Sequence, residues 1–379
     1  MRIGLIGLVS VLVFASTMAT AGCSSSSSGG GTGGRSGSGG AIGSGGVAAS
    51  CAGLTATCGP SSESCCKSLL IPGGTYYRSY NGVDFTDKSY PATVGDFYLD
   101  KYEVTVDRFR QFVNAGMGTQ ANPPAAAAGA HPLIASSGWD STWNTKLPAD
   151  TASLKAAMIC DSVYYPGSET WTDTAGTNES LPMNCLDWYT AFAFCAWDGG
   201  RLPTEAEWDY AASGGSEQRY YPWSSPPTST TIDDSYAVYC GDSCDGPQNV
   251  GSRSPKGDGK WGQSDLAGNL GEWTLDADLG PTYPTPCDNC AALITDNSMQ
   301  QVRSGNFRFT APALRSAWRA REGIFRRFLT EYAEIPDRGS CSGDTPRTCE
   351  IRWNRQASGY TEPRRSRPRS RNRCFHGAI

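Results

Sequence analysis

Apolar residues at Val106, Phe109, Phe112 and Val113 recur at helical spacing, with Thr105 placed to cap the first turn and residues 114–116 to break the helix. A second apolar stretch over residues 187–197 predicts a helix stopped by Gly199 and Gly200. The third signal is the sharpest. Thr204-Glu205-Ala206-Glu207 follows Pro203 as a capping box, and Gly214-Gly215 closes a helix that carries Trp208 and Tyr210. Short β-prone runs at 95–99 and 301–309 stand among long loops. This mixture predicts an irregular α+β domain with low regular secondary structure, rather than alternating βαβ units. A different pattern occupies the N-terminus: residues 3–21 form an unbroken apolar run behind Met1-Arg2.

Composition sharpens this picture. With 39% hydrophobic and 11% aromatic residues, including 11 Trp, the 379-residue chain has material for a substantial core. The 45 Gly and 23 Pro against 18% charged residues favour a loop-rich fold over bundles or coiled coils. A net charge of -5 gives no case for nucleic-acid binding. There are 2 His; His131 precedes a proline and His376 lies near the C-terminus, both poor places for a catalytic base.

Fifteen cysteines point to an oxidising compartment. The segment Thr20-Ala21-Gly22-Cys23 resembles a bacterial lipobox, so residues 1–22 are expected to be a lipoprotein signal peptide and Cys23 the lipidated first residue of an exported protein. A transmembrane helix is disfavoured because a Ser/Gly tract follows the apolar run where positive stop-transfer residues belong. Residues 23–50 then read as a flexible tether. Ser24, rather than Asp, beside the anchor points to the outer membrane or cell surface, by analogy with such lipoproteins. Within residues 51–70, Cys51, Cys58, Cys65 and Cys66 form a cluster read as two disulfides, since no histidine is near enough to complete a metal site. Cys240 with Cys244, and Cys287 with Cys290, read as local staples for the same reason.

Several motifs together carry a resemblance. Gly199-Gly200-Arg201-Leu202-Pro203-Thr204-Glu205-Ala206-Glu207-Trp208 resembles the signature of the formylglycine-generating enzyme (sulfatase-modifying factor) family. Ile71 to Thr75, Glu103-Val104-Thr105, Gly268-Asn269-Leu270-Gly271-Glu272-Trp273 and the stretch from Arg303 to Arg319 match further family motifs in family order. The resemblance covers residues 71–335 and implies a fold related to C-type lectins.

What it implies about chemistry is mixed. Oxidase members convert a substrate cysteine to formylglycine with a copper-binding cysteine pair in the late Arg-rich segment, thiolates being suited to Cu(I). Here, depending on the gap in the match, the corresponding positions fall among Phe309, Ala311 and Leu314, so no copper and no oxidase reaction are expected. Two isolated histidines also cannot supply the iron-binding cluster of other relatives. A structural calcium fares better: mapped motif by motif, its ligands become Asp265, the carbonyls of Gly268 and Leu270, and Glu272, an all-oxygen set suited to a hard cation. For a second calcium site, Asp245 matches one ligand but Val238 stands where Asn is expected. The groove region gathers Arg303, Arg308, Arg315, Arg319 and Arg321, which offer forked donors to an anionic ligand or else pair with core carboxylates such as Glu205 and Glu207. The tryptophans, Trp188, Trp208 and Trp273 among them, read as core.

Family domains end on a strand whose cysteine pairs with the one in the second helix, here Cys195. Residues 336–379 instead form a divergent, Arg-, Ser- and Pro-rich tail expected to be disordered, with Cys341 the nearest candidate partner. Two function classes follow. One is a non-catalytic, lipid-anchored binding or scaffolding module whose partner is an unknown protein, peptide or anionic ligand. The other is an enzyme that modifies exported proteins or peptides by a different chemistry.

Overall fold

A computed structural model describes residues 48–54, 57–160, 165, 167–241, 244–295 and 298–321. The signal peptide, Cys23, most of the tether and the tail after residue 321 lie outside these described residues, as does the whole of a separate C-terminal unit, 332–379. In chain order the strands and helices are β1 (Thr57–Cys58), β2 (Glu63–Ser64), β3 (Ser68–Ile71), β4 (Gly74–Tyr77), β5 (Pro91–Val94), β6 (Phe97–Asp100), α1 (Val106–Asn114) and α2 (Thr151–Ala157). They continue as α3 (Trp188–Trp197), α4 (Glu205–Ala212), β7 (Glu272–Ala277), β8 (Cys287–Asp288), β9 (Gln300–Arg303) and β10 (Ala320–Arg321). Short elements separated by long loops make this the mixed fold with little regular structure that the sequence predicts.

The three predicted helices form where their caps stand. Thr105 accepts from the Arg108 amide at 3.3 Å, and Asp187 from the Thr190 amide at 2.7 Å. The capping box closes in both directions: Glu207 N donates to Thr204 Oγ1 at 3.1 Å, and Thr204 N to Glu207 Oε2 at 2.9 Å. Helix α2 was not predicted. Its cap, Asp150, is clear, but only Leu154 of the helix is buried, so no apolar period announces it.

Antiparallel pairs join β3 to β6 and β4 to β5, and β8 adds to β5 in parallel. The sheet that matters for the site has the order β10-β9-β7, all antiparallel, with Glu272 opposite Arg303. The strand expected over 301–309 stops at Arg303. Ser304 and Gly305 take positive φ (80° and 72°), which turns the chain out of the sheet and makes 304–309 a loop.

Aromatic packing holds the loops in place. Phe109, Phe112, Trp139, Trp188, Phe192 and Phe194 form one core between α1 and α3, and Trp208 on α4 centres another against β4 and β5. Trp139, Trp188 and Trp208 are fully buried.

Disulfides pair Cys240 with Cys244 and Cys287 with Cys290, as the sequence suggested, and the four-cysteine cluster forms two bridges whose connectivity the sequence left open, Cys51 with Cys66 and Cys58 with Cys65. Cys160 and Cys185 form a further bridge that their distance in sequence concealed. Cys195 is the free thiol among the described residues, and Cys341 lies outside them.

Candidate functional site

The loop between residues 265 and 272 carries the predicted calcium ligands. Its shape depends on three left-handed residues: Asp265 (φ 61°), Gly268 (φ 90°) and Asn269 (φ 57°). At Gly268 a side chain is excluded, because a Cβ would stand 2.4 Å from the carbonyl oxygen of Val238. Neighbouring groups hold these turns. Gly251 N donates to Asp265 Oδ2 at 2.6 Å, and Ser304 Oγ donates toward the carbonyls of Asp265 (3.3 Å) and Gly268 (3.1 Å). Trp208 Nε1 donates to Glu272 Oε2 at 2.9 Å.

Glu103, from the segment between β6 and α1, reaches the same loop. Its Oε1 accepts from Leu270 N at 3.0 Å and its Oε2 from Asn269 Nδ2 at 2.6 Å. The sequence showed this residue only as part of a helix-start motif; its reach across 167 positions has no sequence signal.

The local electrostatics are strongly acidic. Burial pushes Asp265 up to about 6 and Glu272 up to about 7, the latter helped by the charge of Asp265. Burial and the charges of Asp265 and Glu272 push Glu103 well above the usual carboxylate range. None of the three makes an ion pair with a described residue; Arg253 lies near enough to lower Asp265 without pairing with it. No group of three or more His, Cys, Asp or Glu among the described residues is arranged to hold a metal by side chains alone. An oxygen set of two carboxylates plus backbone carbonyls, with excess buried negative charge around it, fits a hard divalent cation. At the proposed second calcium position, Val238 is buried and its carbonyl accepts from Asn269 N at 2.8 Å, while Asp245 is exposed.

The five arginines separate into different environments. Arg303 is fully buried, pairing with Glu205 at 3.0 Å and Asp209 at 2.8 Å and donating to the Ser316 carbonyl at 2.6 Å. Arg315 pairs with Asp84, and Arg319 lies 3.6 Å from Glu205 while covering the ring of Tyr283. Arg308 differs. Among the four whose side chains are described, it alone has no carboxylate partner; its buried Nε has no hydrogen bond, which is also true of Arg303 Nε. Its guanidinium carbon lies 5.7 Å from the ring centres of both Tyr165 and Phe307, beside Asn306, whose Nδ2 donates to the Tyr165 hydroxyl at 2.9 Å. For Arg321 only the backbone, in β10, is described. The predicted cluster is therefore not one constellation: three arginines hold the fold, and Arg308 is left with free donors. Tyr165, Asn306, Phe307, Leu270 and Glu272 line a cavity of about 1460 Å³.

Where the oxidase thiols would stand, Phe309 and Leu314 are buried in one hydrophobic cluster, and Ala311 opens a 3-10 turn. The Phe309 carbonyl accepts from Cys240 N at 2.9 Å, but Cys240 is bonded to Cys244. Burial pushes the thiol of Cys195 up to about 12. His131 is also fully occupied: Nδ1 accepts from Leu133 N at 3.1 Å, and Nε2 meets Glu207 at 3.3 Å.

The model of the family described as "Sulfatase-modifying factor enzyme 1-like domain" matches residues 55–328. The chain belongs to this family. The mouse (Mus musculus) formylglycine-generating enzyme is 28% identical over 253 residues, which is 58% of this chain and 60% of that protein. An inactive C-alpha-formylglycine-generating enzyme 2 from Bos taurus is 30% identical over 224 residues, or 54% of this chain and 69% of that one. Chaperone protein LppX from Paenibacillus barcinonensis is 28% identical over 259 residues, 62% of this chain and 81% of that one. The chain thus spans about three-fifths to four-fifths of the length of these relatives. This sulfatase-modifying-factor domain carries the 265–272 loop, the capping box and an Arg-rich stretch over 303–321, and its sequence has no cysteine between Cys290 and Cys341.

Proposed function

We propose that the protein is an exported, lipid-anchored binding module on the sulfatase-modifying-factor fold, without formylglycine-generating activity. One observation carries this reading: the late segment is hydrocarbon at Phe309, Ala311 and Leu314, and no reactive thiol is described elsewhere. Relatives of the chain are named as a formylglycine-generating enzyme, as an inactive C-alpha-formylglycine-generating enzyme 2 and as a chaperone, so membership alone does not decide the activity. Calcium at Asp265, the Gly268 and Leu270 carbonyls and Glu272 would supply positive charge to an acidic loop and fix its left-handed turns. The ligand is an anionic group on a protein, peptide or small molecule, held by the free donors of Arg308 with Tyr165 and Asn306 beside them.

Sulfate serves as a simple probe of that arginine. Titrated calorimetrically or by chemical-shift change, it is expected to bind the wild type and to lose about tenfold in affinity in Arg308→Ala, as expected for one charge-assisted contact. An Arg308→Ala variant that binds sulfate unchanged would remove the ligand site from this reading. The five disulfides among the described residues fit an oxidising compartment. Anchoring is tested at Cys23: Cys23→Ser should leave the membrane fraction or stay unprocessed, whereas unchanged processing and partitioning would contradict a lipid anchor.

A further inference from the structure

We infer that Glu103 is the positioning residue of the calcium loop: it fixes the peptide between the two ligand carbonyls. This deepens the calcium reading and rests on it. The key group is the peptide that joins Asn269 to Leu270. Its N–H donates to Glu103 Oε1 at 3.0 Å, and its carbonyl accepts from Phe307 N at 3.0 Å. The peptide plane is therefore clamped at both ends, and the carbonyls of Gly268 and Leu270 lie on either side of it.

Asn269, fully buried and left-handed, is held by the other carboxylate oxygen at 2.6 Å. Its side chain is further tied to Gln248, accepting from that residue's amide at 3.0 Å and donating to its carbonyl at 3.2 Å. A non-glycine residue keeps a positive φ only when its surroundings impose it, and here Glu103 and Gln248 do so together. Both oxygens of Glu103 already accept from loop donors, which places it behind the loop and outside the ligand set.

A structural brace would stabilise the domain equally with and without metal. A positioning residue also sets where the two carbonyls point, so its loss costs more when the metal is bound. In Glu103→Gln the amide keeps one acceptor and turns an N–H₂ toward a loop donor, which opens one end of the clamp.

The test uses the purified chain, wild type and Glu103→Gln, stripped with chelator and titrated with calcium by calorimetry, with thermal melting in chelator and in excess calcium. The wild type should bind calcium and melt higher with it. The variant should bind about tenfold more weakly, the scale of one lost hydrogen bond, and lose more of its melting temperature in excess calcium than in chelator. Equal affinities would overturn the role of Glu103 alone. Equal loss of stability with and without metal would make it a brace only. A wild type that binds no calcium would overturn both the loop reading and this inference.

Discussion

Arg303→Ala is expected to cost about 3–5 kcal/mol of folding stability, the range for removing one partner of a buried charge network. The side chain is wholly buried between Glu205 at 3.0 Å and Asp209 at 2.8 Å, both nearly buried themselves, and it lies 4.9 Å from the ring centre of Trp208. Its deletion leaves two carboxylates and the Ser316 carbonyl without their donor. Even beside Arg303, burial pushes Asp209 up to about 6, so in the variant that carboxyl is expected to take up a proton near neutrality, which limits the loss. Lysine should restore little, because one ammonium cannot reach Glu205, Asp209 and Ser316 as the forked guanidinium does. Urea unfolding measures the effect. A loss below about 1 kcal/mol, the scale of a surface ion pair, would show that the arginine is not the centre of the network.

The same residue shows what the sequence made legible. Helix starts were readable at Thr105 and at the Thr204/Glu207 box because these caps act within one turn of chain. The loop over residues 265–272 was readable because its candidate oxygen donors lie within eight residues, so a motif could carry them. The fate of each arginine was not. Whether Arg303 faces the core or Arg308 keeps free donors depends on partners about a hundred positions away, such as Glu205 for the former. The strand expected over 301–309 ended early because Ser304 adopts a positive φ that serine rarely takes, and composition does not reveal that. Glu103 was missed for a related reason: its partners are in a distant loop, and a carboxylate at a helix start is usually read as local.

The central claim is the absence of oxidase chemistry, and its expected effect is total. Converting a peptidyl cysteine to formylglycine through copper needs thiolates in the groove, because a soft ion is captured by soft ligands. Phe309 and Leu314 are buried hydrocarbon, Ala311 has no donor atom, and Cys240 beside Phe309 is bridged to Cys244. Burial holds Cys195 up to about 12, so at neutral pH it stays a thiol rather than a thiolate. Calcium can shape the loop but exchanges no electrons, so it cannot replace the missing pair. The decisive measurement is mass spectrometry of a sulfatase-type cysteine peptide incubated with the purified chain, copper and oxygen, beside a copper-only control. The account predicts an unchanged peptide mass in both; a mass loss corresponding to cysteine-to-aldehyde conversion, seen only with the protein, would contradict it.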